Sequence, residues 1–337
     1  MIDSARDAPL HVPRGIVIVA GLWLGAALMP SAAHSSVATP ATGALEEIQI
    51  IGERPGPRLW RVTRGDHVLW ILGTLNHLPR KMRWRSAEVE EAIAHSQQVL
   101  ASGPSVSASI GPIGMIRLYF QWHGVQTNPK KTTLKEWLPP AVYARFEMQK
   151  ARFDGSDTRI EELRPTFAAL RLYEQAMDAA GLTGRNETER SVLRIAAQRH
   201  VPVHRASLAV ADPSGVLKAI SALSPSVEVS CLEATVARLE TDLPVMQQRA
   251  AAWAVGDVDR LRQLSFIDQT DACLSALSSS PTIKALIEQA SSAWDNEAEA
   301  ALLRDRVSFA MRPIYELLAP DGPLSRYRAE GYVVEGP

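Results

Sequence analysis

A chain of 337 residues with 36 basic and 37 acidic side chains has a net charge of −1. That balance argues against nucleic acid or an acidic membrane surface as the main partner of the whole chain. With 46% hydrophobic residues, it is long enough to bury a sizeable core, as one large domain or one domain with an insertion.

The N-terminus reads as an export signal. Arg14 precedes an apolar run over residues 15–29, short of the about 20 residues a membrane span needs. Ser31-Ala32-Ala33 supplies small residues for cleavage after Ala33, and no cysteine lies nearby to accept a lipid. The expected mature chain is therefore periplasmic or extracellular, without a stable span; an uncleaved anchor is the alternative. In an oxidising compartment the two cysteines, Cys231 and Cys273, are expected to form a disulfide, and a free reactive thiol is the rival reading. Residues 34–57 read as a Ser/Thr/Ala/Gly/Pro-rich linker, with a short exposed strand possible over Glu46–Gly52.

From Arg58 to Pro79 the pattern predicts two strands around a Gly65-Asp66 turn of the II′ kind. Val68-Leu69-Trp70-Ile71-Leu72 is a continuous apolar run, as in a strand covered on both faces. Gly73-Thr74 ends it, and Asn76-His77 follows at a strand end, where α/β folds commonly place chemistry. Ser86 is expected to cap a helix whose first turns carry Glu88, Glu90 and Glu91. Gln98–Ala101 reads as a strand parallel to the second one, by the right-handed crossover rule. Helices are expected over residues 113–122, 141–153, 166–180 and 187–199, with Thr133 and Glu136 at capping-box spacing. His200–His204 reads as a short strand. Asp212-Pro213 opens a helix, Ser226 is expected to cap the next, and Pro244 opens one through Trp253 that Gly256-Asp257 breaks. Residues 282–303 read as helix, and 307–311 and 331–334 as the last strands. No Gly-x-Ser-x-Gly elbow is present.

The wording LW-V-LWILGTLNHLP, the Arg164-Pro165 step, the AWAVGD phrase and the closing residues around Gly322 resemble the TraB/GumN (TraB/PrgY/GumN, TIKI-like) family. The resemblance covers about residues 58–335 and implies an α/β (α+β) fold: a small mixed sheet flanked by helices, with a helical insertion about 112–300 inside a domain over 58–337. It also implies a metal-dependent or histidine/carboxylate-based hydrolase, best supported as proteolysis, with two Gly-x-x-His motifs and a strand-end glutamate.

This chain keeps the frame at Gly73, Thr74 and Gly322 but changes the polar groups. Asn76 stands where the first motif histidine belongs, with His77 displaced by one. Ser102 stands near the strand-end glutamate, Glu316 at the second histidine and Pro313 at its glycine. Ala290-Ser291 replaces an arginine–asparagine pair. The preferred expectation is a degenerate, non-catalytic protein that binds a peptide or envelope component, with no metal or other cofactor. The alternative is a hydrolase with a divalent metal such as Zn or Mn and a rearranged site around His77 and Glu316, with Asn76, His77 and Glu316 as the candidate catalytic residues.

Overall fold

The computed structural model describes residues 56–84, 87–184, 187–264, 273 and 277–337. The expected signal segment, the linker with its short strand, and the Ser86 cap lie outside the described residues.

β1 (Leu59–Arg64) and β2 (His67–Thr74) form the expected hairpin, with Arg64 opposite His67 across Gly65-Asp66. Gly65 has φ +60°, which a II′ turn requires at its first position. α1 (Ala87–Ala94) leads to β3 (Val99–Leu100) and β4 (Ser105–Ser107). A helical stretch follows: α2 (Pro112–Gln126), α3 (Leu134–Trp137), α4 (Pro140–Asp154), α5 (Pro165–Ala179) and α6 (Glu187–Gln198). The Thr133–Glu136 capping box is made, and it opens the short α3. β5 (Val203–His204) and β6 (Ser207–Ala209) return the chain to sheet structure.

Beyond them come α7 (Pro213–Ser221), α8 (Pro225–Thr241), α9 (Leu243–Ala254) and α10 (Val258–Gln263). Ser224, not Ser226, caps α8: its hydroxyl accepts from the Val227 amide, and Pro225 takes the first helical position. Ser226 falls inside the first turn because the N1 proline shifts the start by two residues. The chain closes with α11 (Pro281–Arg304), β7 (Val307–Pro313), α12 (Ile314–Leu318), α13 (Pro323–Ala329) and β8 (Val333–Glu335).

The main sheet has the order β5-β3-β7-β2-β1-β8, and β4 pairs with β6 in a separate two-stranded sheet. β3 runs parallel to β2 as expected, but β7 lies between them and pairs in parallel with both. The late strand thus becomes the centre of the sheet, covered on both faces.

One face carries Trp60, Leu69 and Ile71 against Trp253, Trp294 and Tyr327. The other carries Leu72, Val99, Phe309 and Met311 against Val89 and Ile93 of α1 and Val192 of α6. Burying each such side chain contributes about 1.5–3 kcal/mol. α4, α5 and α8 build a third core around Phe146, Leu172, Leu232 and Val236. The Cys231–Cys273 bond lies within it and spans 42 residues. A loop of that length contributes about 4 kcal/mol in the chain-entropy account. Among the described residues, no single helix is long and apolar enough to cross a membrane.

Candidate functional site at the C-terminal ends of the parallel strands

β2, β7, β3 and β5 are parallel, so their C-terminal ends open on one edge of the sheet. Thr74 is in register with Pro313. The segment Leu75-Asn76-His77 and the segment Ile314-Tyr315-Glu316 therefore leave the sheet side by side. Gly73 permits this closeness: a Cβ there would sit 2.9 Å from Ile314 Cγ1 and 3.0 Å from the Trp60 ring. The Trp253 indole N–H donates to the Gly73 carbonyl at 2.7 Å, fixing the strand end from the other side. Thr74 is buried and Asn76 is exposed.

Strand alternation does not continue to His77, because the chain turns there with φ +58°. Its Nδ1 lies 3.1 Å from the Thr183 carbonyl, and its ring meets Tyr173 edge-on at 5.3 Å. The Thr183 hydroxyl accepts from the Leu78 amide at 3.0 Å. His77 is thereby engaged with the segment around α5.

Glu316 sits in the first turn of α12, four residues beyond Arg312 of β7, with Oε2 2.5 Å from Arg312 Nε. Arg312 Nη2 donates to Ser291 Oγ at 2.9 Å, and its guanidinium lies 4.6 Å above the Trp294 ring. Burial pushes the Glu316 carboxyl above the ordinary range, against the pull of Arg312 and Tyr315, and Asp295 adds to the rise. Gly322 is explained by contact as well: a Cβ there would lie 2.0 Å from the Glu316 carbonyl oxygen.

The strand-end glutamate missing at Ser102 has a spatial counterpart. Ser102 Oγ donates to Glu189 Oε2 at 2.6 Å, and Arg205 Nη2 donates to Glu189 Oε1 at 2.7 Å. Glu189 is 7% exposed. Its neighbour Thr188 donates to the Leu75 carbonyl at 2.9 Å, so the first turn of α6 joins the β2 exit to the β3 exit. The sequence reading missed Glu189. The signal was present: Glu189, Val192 and Ala196 share one buried stripe at i, i+3 and i+7, and a carboxylate on such a stripe needs a partner.

A divalent metal does not fit these residues. A zinc site with an open position needs three protein ligands. Asn76 presents a neutral amide, Glu316 is matched to Arg312, and Glu189 is matched to Ser102 and Arg205. Among the described residues no group of three or more His, Cys, Asp or Glu is placed to hold a metal ion.

Fold and edge together define a mixed α/β protein. At that edge polar groups emerge from the ends of β2, β3 and β7, and the carboxylates of Glu316 and Glu189 are arginine-paired. The chain belongs to the TraB/PrgY/gumN family, whose family model matches residues 58–336. No curated protein and no solved structure matches it.

Proposed function

We propose that this protein is an exported, non-catalytic member of its family that binds a peptide or an envelope component at the strand-end edge. One observation carries the reading: the two carboxylates nearest the motif positions, Glu316 and Glu189, are each matched to an arginine, Arg312 and Arg205. A carboxylate held this way is a poor metal ligand and a poor proton carrier, while the pair is a rigid polar surface. The apolar run at 15–29, the small residues before His34 and the Cys231–Cys273 bond support export.

The second reading is a hydrolase around His77 and Glu316. Its support is the burial that raises the Glu316 carboxyl beside the strand end, an environment common to general acids.

The test takes full-length protein produced with added Zn²⁺, Mn²⁺ and Co²⁺, and measures metal content and cleavage of fluorogenic peptides. The expected result is substoichiometric metal and no metal-stimulated cleavage. Fluorescence anisotropy with labelled unstructured peptides should show binding that Asn76→Arg weakens without changing the melting temperature. One tightly held metal per chain, lost in His77→Ala, would overturn the reading and promote the hydrolase.

A further inference from the structure

The whole-chain charge balance conceals a local one. Between Glu91 and Glu136 the sequence has no aspartate or glutamate, and it carries Arg117, Lys130, Lys131 and Lys135, all exposed. α2 runs through this stretch, and its outward side is not the polar face expected of a surface helix. Ile113 is 84% exposed, Phe120 68%, Ile116 61% and Tyr119 60%.

At 3.6 residues per turn, Ile113, Ile116 and Phe120 form one stripe opposite buried Val125, with Arg117 beside it. The Tyr119 ring packs edge-on against Phe120 and His123, at 5.6 and 4.5 Å, so the aromatic surface is ordered. Between α2 and α7 an apolar groove of about 520 Å³, lined by Val106, Met115, Trp122 and Val216, adjoins this stripe through Tyr119. An apolar surface of this extent on a folded chain marks an interaction site.

We propose that α2 is an interfacial helix that docks on an anionic lipid surface. Ile113, Ile116 and Phe120 enter the acyl boundary, Tyr119 sits at headgroup level, and Arg117 meets lipid phosphates. At 15 residues α2 is shorter than a span, so it lies in the plane of the surface. Charge selects the occupant. A cation near an anionic leaflet is favourable by about 1 kcal/mol. A second copy docked on the same face would set Arg117 against its own copy across a purely basic stretch, because a two-fold contact is self-complementary. This surface is separate from the strand-end edge and does not depend on the reading given to it.

The test is hydrogen exchange on the full chain, read locally so that the N-terminal apolar segment does not confound it. Vesicles of phosphatidylcholine and phosphatidylglycerol at about 7:3 should slow exchange over 111–126 by about tenfold. Pure phosphatidylcholine should slow it far less, and about 0.5 M salt should remove the difference. Ile116→Glu/Phe120→Glu, which should keep wild-type far-UV circular dichroism because both residues are exposed, should abolish the protection. Arg117→Glu should weaken it. No protection, equal protection by neutral vesicles, or equal protection by an acidic peptide would overturn the proposal. So would protection that grows with protein concentration alone, which would mark a second copy.

Discussion

Arg312, at the end of the central strand, and Glu316, in the first turn of the helix that follows it, face each other with Nε and Oε2 2.5 Å apart. Arg312 Nε has no aligned hydrogen-bond acceptor, so the contact is an ion pair rather than a directed hydrogen bond. The pair is not symmetric in its consequences. Burial outweighs the arginine and leaves the carboxyl raised, so the charged form of Glu316 is less favoured in the folded chain than in the unfolded one.

The first prediction follows from that sign. A raised folded value means that the carboxyl's contribution to stability is full below its unfolded value near 4.5. It is lost as pH rises through the folded value. Glutamine mimics the protonated acid at every pH. Glu316→Gln should therefore match wild type in urea unfolding at low pH and become the more stable chain toward neutrality. Arg312→Leu should instead lose ~2 kcal/mol at neutral pH, by leaving a half-buried carboxylate unmatched. A Glu316→Gln deficit that grows with pH would show that the pair is net stabilising.

A second prediction concerns Arg164, the arginine of the Arg-Pro step. Its Nε lies 3.1 Å from both Glu228 carboxylate oxygens, and its Nη2 donates to the Ser221 carbonyl at 3.2 Å. The pair joins the start of α5 to the end of α7 and the first turn of α8, with both residues buried. Burial already raises the Glu228 carboxyl despite the arginine. Arg164→Ala should cost about 3–5 kcal/mol at neutral pH. The deficit should shrink as pH is taken well below 4.5, where the stranded carboxyl is protonated in both folded and unfolded chains. Equilibrium denaturation at the two pH values measures it; a deficit independent of pH would mean that lost packing dominates.

The hairpin, the Gly73-Thr74 strand end and most helix starts were legible because their causes are local. A Gly-first turn dipeptide, a proline at a first helical position and an Asp212 side chain accepting from the Gly215 amide all act within four residues. The place of β7 between β2 and β3 was not legible, since residues more than 200 apart in the chain decide it. The β4–β6 sheet was missed because each strand has three residues and only Leu208 is buried, so neither carries a periodic pattern. At the edge, Gly73 and Gly322 were recognised from family wording, and contact distances now supply the reason. Glu189 reached the β3 end from a helix, and the strand's own sequence could not announce it.

Gly322 yields a third prediction. Its φ of −73° suits any residue, so the requirement for glycine is purely one of space. An alanine methyl would meet the Glu316 carbonyl oxygen at 2.0 Å and the Ala319 carbonyl oxygen at 3.0 Å, both backbone atoms that cannot rotate away. Gly322→Ala should cost about 2–3 kcal/mol, in the range of overpacked sites. Gly103→Ala, where nothing lies within 4 Å, should change stability little. Thermal melts of the two variants against wild type compare them directly, and equal shifts would refute the spatial explanation.

The fourth prediction treats Ser102 and Glu189 as one exchangeable pair. Ser102 Oγ and Glu189 Oε2 are 2.6 Å apart, so only one carboxylate fits at the end of β3. Ser102→Glu alone would set two carboxylates in contact, with Arg205 positioned to neutralise one of them. It should cost about 1–3 kcal/mol at neutral pH and recover on acidification, because protonating either acid relieves the repulsion. Glu189→Ser alone removes the partner of both Ser102 and Arg205 and should also destabilise. The double variant Ser102→Glu/Glu189→Ser moves the carboxylate from the helix back to the strand, within reach of the same arginine. Its loss should be smaller than the sum of the single losses by about 1–2 kcal/mol, the coupling expected of side chains in direct contact. Urea unfolding of the four chains closes the cycle. Strictly additive losses would mean that Glu189 does not occupy the place of a strand-end carboxylate.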